Sequence, residues 1–221
     1  MNYQWDFGPV WRNLDGLAIG LFGTLKLTVA CLALAVPLGL LLAIFRLSGS
    51  RALSGLALVY IDFFRTAASL VLIFWFFFAF PMLVNLDFTA FTAAFLAIGL
   101  QGAAYFAEVF RGGITSISRG QWEAARAIGM SDAVAMRHII LPQAVRRMLP
   151  VFFTRATLML KTTTLASAIA YTDIVYVAFR ISSDTYRPIE TFTVTGLVFF
   201  ILIFTLSRFA AFLERRLAVA T

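Results

Sequence analysis

The sequence has one cysteine, one histidine and two lysines among 221 residues. Cys31 lies in an apolar run with no second cysteine, so there is no disulfide framework. His138 alone cannot build a metal cluster, and no metal site is expected. Acids are scarce as well: 11 Asp and Glu stand against 18 Lys and Arg, a net charge of +7. The chain contains no G-x-x-x-x-G-K-[ST] phosphate loop, and neither Lys26 nor Lys161 follows a glycine. It is therefore not expected to hydrolyse ATP, and no catalytic residue or cofactor is assigned to it. One His and one Cys also leave no visible cluster for a membrane-embedded enzyme. The amino-terminal stretch carries two acids and no basic region, unlike a cleaved signal peptide.

What is abundant is hydrophobe. The chain is 61% hydrophobic, with 24 Phe and a mean hydropathy of +0.89, against about 45–50% apolar in soluble domains. A membrane-spanning helix needs about 20 predominantly apolar residues. Five segments qualify, at about 17–45, 53–82, 88–110, 149–171 and 191–213. The expected fold is thus a single all-α integral membrane domain over residues 1–221. Basic residues set its direction. With the amino terminus outside, Arg46, Arg51, six arginines of 111–147, Arg208, Arg215 and Arg216 fall inside. Only Arg12, Arg180 and Arg187 fall outside, beside the acids Asp87, Asp184 and Glu190. The expected topology is amino terminus out, carboxyl terminus in, with the connection 111–148 in the cytoplasm.

That connection holds a polar, basic island, Arg119 to Pro142. Ser118 and Gln121 have the spacing of a capping box. Trp122, Ala125 and Ile128 recur at three-residue spacing, as one apolar face. Gly129 suits a helix stop. Ser131 is placed to cap a second helix, with Asp132 in its first turn, and Pro142 discourages helix at Leu141. Ala124, Ala125 and Ala127 would let another protein approach closely, with Glu123 offered to a basic partner group. The same residues suit an amphipathic helix on lipid headgroups, and chemistry alone leaves the two even. A helix-turn-helix DNA reader does not suit a segment clamped between two spans, so no nucleic-acid partner is expected.

The spacing Glu123-Ala124-Ala125, Gly129, Ile139-x-Leu141-Pro142 resembles the EAA motif of ABC-importer permeases. The surrounding string, with AYFAEVFRGGI at 104–114 and LKTTTLAS at 160–167, resembles the polar amino acid permeases of the MetI-like, type I importer group. The likeness runs from about residue 20 to 216, and the overall similarity leans toward glutamate and aspartate permeases. The resemblance implies five core helices, with cytoplasmic coupling helices between the third and fourth spans. It implies an ATP-binding subunit dimer that holds ATP and Mg and docks on the island through Gly120, Glu123, Ala124, Ala125 and Gly129. It also implies a second permease subunit, homologous or identical, and a periplasmic or surface substrate-binding protein, in a bacterial inner membrane. Where such permeases read Arg-Gly-Thr-Pro, this chain reads Arg65-Thr66-Ala67-Ala68. Both helix breakers are missing, so the sequence gives the second span no reason to kink, and the chain would suit the less active half of a heterodimer.

Charges within spans are costly and mark function or pairing. Lys161 falls near mid-depth of the fourth span, followed by Thr162, Thr163 and Thr164, whose hydroxyls could serve a local break. It is either a substrate-path residue or half of a structural ion pair. Arg155 could hold a carboxylate bidentately, or pair with Glu108 or Asp62. Glu108, three residues before Arg111, is better read as an i,i+3 pair. The candidate substrate path is therefore Lys161, Arg155, Thr163, Arg65 and Glu108. Four cations against few acids within the spans favour an anionic ligand. A stand-alone channel or secondary transporter is the alternative of another class, but the five spans show no internal repeat.

Overall fold

Small side chains decide which helices meet. The computed structural model describes residues 3–217, with side chains as far as Phe212, and contains no strand among them. Helix α1 is Gly8–Arg12, α2 is Leu14–Leu47 and α3 is Arg51–Thr66. Helix α4, Ser69–Phe74, runs through a π-helical turn at Trp75–Ala79 into α5, Phe80–Val84. Helix α6 is Ala90–Thr115, α7 is Arg119–Ala127 and α8 is Asp132–Ala135. A second π-helical turn, Met136–Ile140, leads into α9, Leu141–Thr163, which tightens to a 3₁₀ turn at Thr164–Ile169. Helices α10, Ile174–Thr185, and α11, Pro188–Leu217, complete the described residues.

Helices α2 and α6 form the centre. A Cβ at Gly39 would sit 2.8 Å from Phe106 Cβ, and one at Gly99 2.7 Å from Leu34. Glycine at both positions lets the two helices close, as in membrane bundles generally. Ala35, Ala93, Ala97 and Cys31 pack in the seam, with Phe106 and Met159 completing the core. Ile19, Phe22, Val29, Leu56 and Val59 remain exposed on the outside. Such side chains suit a lipid-facing surface.

Helices α2, α6 and the stretch 188–212 of α11 are each long and apolar enough to cross a membrane. The other two expected spans are bent. Helices α3 and α4–α5 meet at 102°, and the run 132–169 meets α10 at 47°. The count is therefore three unbroken spans, or five if each bent pair is one. The bend after α3 corrects the expectation that a segment without Gly or Pro has no reason to kink.

The connection 172–190, between the expected fourth and fifth spans, is not a plain loop. It is largely helix. Asp173 caps α10, its Oδ1 accepting from the Tyr176 amide at 2.7 Å, and Ile174, Ala178 and Ile181 are buried along one side. That 3–4-residue spacing is an amphipathic pattern.

Candidate functional site

The island forms a helical hairpin. Gly129 has φ 81°, and the Met130 amide reaches the Ala125 carbonyl at 3.0 Å while the Gly129 amide reaches Arg126 at 2.9 Å. This is a Schellman stop, and it fulfils the expectation for Gly129. Arg126 and Asp132 close the hairpin with an ion pair at 2.9 Å. The Arg126 guanidinium beside it holds the Asp132 carboxyl below the usual aspartate range.

Four expectations about the island fail. The capping box is absent: the Ser118 side chain caps nothing, and Gln121 instead accepts from Gln143 Nε2 at 3.1 Å. Ser131 likewise makes no side-chain cap. Ile128 is 70% exposed, because the chain turns at Gly129 and lifts it away from the face that buries Ala125. Pro142 does not stop the helix. It sits in the first turn of α9, where a missing amide costs little, directly after the widened π-turn. Of the proposed docking residues, Gly120, Glu123, Ala124 and Gly129 are exposed, while Ala125 is 1% exposed and belongs to the packing beneath.

A second site lies among α4, α6 and α9. Ser69, Gln101, Tyr105, Arg155, Met159 and Thr162 line a cavity of about 210 Å³. Gln101 is 4% exposed. Its amide nitrogen donates to the carbonyls of Phe64 at 3.2 Å and Ala67 at 2.8 Å, and its oxygen accepts from Ser69 Oγ at 2.6 Å. Tyr105 donates to the Arg65 carbonyl at 3.3 Å. The Arg155 guanidinium lies 4.8 Å from the Tyr105 ring centre and that of Arg65 lies 5.9 Å from it.

Among the described residues, the ion pairs within 4 Å are Arg111–Glu108, Arg126–Asp132 and Arg187–Glu190. Glu108 is therefore the i,i+3 partner of Arg111, at 2.7 Å, and pairs with no substrate-path cation. Neither Glu108 nor Asp62 holds Arg155. The ring face stands where a carboxylate could have stood, a cation–π contact. Lys161 is exposed, outside the cavity, and has no ion pair among the described residues. Thr163 is buried and shares a 3.1 Å hydrogen bond with Thr28 of α2 while donating to Leu160. It joins helices rather than lining the cavity. The neighbouring hydroxyls bond back along their own helix, Thr162 donating to Leu158 and Thr164 to Lys161. Gln101 and Ser69 were missed by sequence reading. A lone amide in a 26-residue apolar helix was the available signal.

Several known proteins share this architecture. The chain is 36% identical to the octopine transport system permease protein of Rhizobium meliloti over 218 residues, 94% of this chain and 89% of that protein. It is 32% identical to the glutamate/aspartate import permease protein of Escherichia coli O6:H1 over 223 residues, 98% of this chain and 100% of that one. The crystal structure of an amino acid ABC transporter with histidines superposes with a TM-score of 0.91 at 33% identity, covering 97% of this chain and 100% of that one. Residues 35–219 match the family described as the binding-protein-dependent transport system inner membrane component, and the chain belongs to that family.

Proposed function

We propose that the chain is the permease subunit of an ATP-driven importer that carries a polar, acidic amino acid of the glutamate/aspartate class across a bacterial inner membrane. The observation that carries the substrate class is Arg155: a half-buried guanidinium lining a partly open cavity, with no carboxylate partner among the described residues. A cation held within a membrane span without a counter-charge is costly, and a substrate carboxylate would relieve that cost by bidentate contact. Ser69 and Thr162 add hydroxyls to the same cavity. Arg65, 5.9 Å from the Tyr105 ring centre, extends the positive field, and Lys161, exposed outside the cavity, is assigned to the same path. The likeness to an octopine permease carries a second reading, in which the substrate is a basic or another polar amino acid.

Uptake needs energy from outside this chain. The exposed Gly120, Glu123, Ala124 and Gly129 form the contact for a cytoplasmic ATP-binding subunit dimer, which holds ATP and Mg. A second permease copy or homologue completes the path, and a substrate-binding protein delivers the amino acid outside. Movement of α7 and α8 switches the cavity between inward and outward access. The substrate must bind the two states differently for that switch to transport it.

Competition for uptake by the reconstituted complex tests the substrate class. Glutamate and aspartate are expected to inhibit, and Arg155→Gln is expected to weaken their uptake about tenfold or more, as for a lost charge-assisted hydrogen bond. Inhibition by arginine but not glutamate would overturn the acidic class. Glu123→Lys is expected to leave the chain in the membrane and uncouple ATP hydrolysis from uptake. Transport by this chain alone in liposomes would remove the importer reading altogether.

A further inference from the structure

The break between α3 and α4 has no breaker of its own. Thr66, Ala67 and Ala68 include neither Gly nor Pro, and alanine is the strongest intrinsic helix former. Yet Ala67 (φ −66°, ψ 137°) and Ala68 (φ −70°, ψ 128°) are extended, and the helix axes turn by 102°. Such a break strands the last carbonyls of α3. Inside a bilayer no water is at hand to satisfy them, and each orphan costs enough to favour an unbroken helix. Something outside the segment must therefore outweigh its own preference.

Two side chains of α6, one turn apart, supply what is missing. Gln101 gives one amide proton to the Phe64 carbonyl in the last turn of α3 and the other to the carbonyl of Ala67, the residue that caps it. Tyr105 gives its hydroxyl proton to the carbonyl of Arg65. The Gln101 oxygen then accepts from the hydroxyl of Ser69, the first residue of α4. One side chain thus holds the carbonyls before the break and the hydroxyl after it.

We propose that Gln101 is a positioning residue that creates and holds this break from the neighbouring helix, and so fixes Ser69 and the first turn of α4 at the cavity. Its consequence for uptake rests on the transport reading above, whereas its effect on the break does not. Ala68 allows the two to be separated. Its φ of −70° is that of proline, Ala67 before it is extended as a residue preceding proline must be, and the Ala68 amide makes no hydrogen bond among the described residues. Ala68→Pro therefore writes the break into the chain itself, without restoring any group that could touch a substrate.

The experiment compares Gln101→Leu, Ala68→Pro and the double variant in the assembled transporter. Spin labels replace the exposed Leu56 on α3 and Leu83 on α5 in a Cys31→Ser background. Labelled and unlabelled chains are mixed so that distances within one chain are read. Gln101→Leu is expected to lengthen or broaden the 56–83 distance and to slow uptake at least about tenfold. Ala68→Pro alone is expected to match the wild type, and the double variant to recover both the distance and most of the uptake. An unchanged distance in Gln101→Leu overturns the proposal. So does a double variant that recovers neither quantity. If distance recovers but uptake does not, Gln101 contacts the substrate directly and its positioning role for transport is refuted. If Gln101→Leu fails to accumulate in the membrane, accumulation of the double variant supports the proposal and its continued absence overturns it. If the distances behave as stated and no amino acid is carried by any form, the transport reading fails and the assignment of the break stands.

Discussion

A methyl group at Gly23 would lie 2.1 Å from the Thr172 carbonyl oxygen, and one at Gly20 would lie 2.8 Å from that of Asp173. Both obstacles are backbone, which cannot swing aside as a flexible side chain can. Helix α2 therefore touches the start of α10 only because these residues are glycine. The contact is further held by Tyr171, which donates to the Gly23 carbonyl at 2.9 Å, and by the Ile174 amide, which donates to Thr24 Oγ at 3.2 Å. Gly112 is the contrasting case, with nothing within 4 Å of an added Cβ on the same kind of helical backbone. Gly23→Ala is expected to cost about 1–3 kcal/mol in thermal unfolding of the detergent-solubilised protein, as for overpacking. Gly112→Ala is expected to be neutral or to gain up to about 1 kcal/mol of helix propensity. Equal behaviour of the two variants would contradict this account of the contact.

Helix joints carry the adaptations at the next scale. The joint between α7 and α8 is local, made from Gly129 and the Arg126–Asp132 pair. Because Asp132 is held below its ordinary range in the folded chain, the pair contributes fully above the ordinary aspartate range. That contribution is lost as pH falls through the depressed value. Protection of the amides of 119–135, taken relative to intrinsic exchange at each pH, is expected to be insensitive to this pair from pH 8 to about pH 5 and to fall only in stronger acid; a loss of protection near pH 6 that disappears in Asp132→Asn would count against it. Helices α2 and α9 share a hydrogen bond, Thr28 to Thr163, beside the packing of Cys31 and Ala35 with Met159. Thr163→Val is expected to cost about 1 kcal/mol of stability while leaving the order of competing amino acids unchanged. A changed order would return Thr163 to the substrate path. These joints also explain what the sequence made legible. Helices α2, α6 and α11 could be placed within a few residues because long apolar runs need only their own residues. Gly129 was readable for the same reason. The break after Thr66 was not, because its cause sits on α6, some 35 positions away in Gln101. The hairpin's serines misled because a hydroxyl at an N-cap position states a possibility that backbone bonds and neighbours then decide.

Across the whole molecule, direction in the membrane is the coarsest property to test. In a Cys31→Ser background, Asp184→Cys and His138→Cys are both at exposed positions. An impermeant thiol reagent is expected to label residue 184 in spheroplasts and residue 138 only after the membrane is opened. The reverse pattern would invert the topology and move the island away from any cytoplasmic ATPase. The substrate path was less legible at this scale: the sequence placed Arg155 and Lys161 on one helix, and only packing showed that the first faces a cavity and the second does not. One end of the bundle is fastened by residues far apart in the sequence. Tyr3 donates to Glu190, the Asp6 amide donates to the same carboxylate at 3.0 Å, and Arg187 donates to the Gln4 carbonyl at 2.8 Å. Tyr3 and Glu190 are 187 positions apart. A ribosome makes the tail first and its anchor nearly last. Residues 3–6 must therefore wait until the final helix begins to emerge, and their docking marks a late step in the maturation of each newly inserted chain.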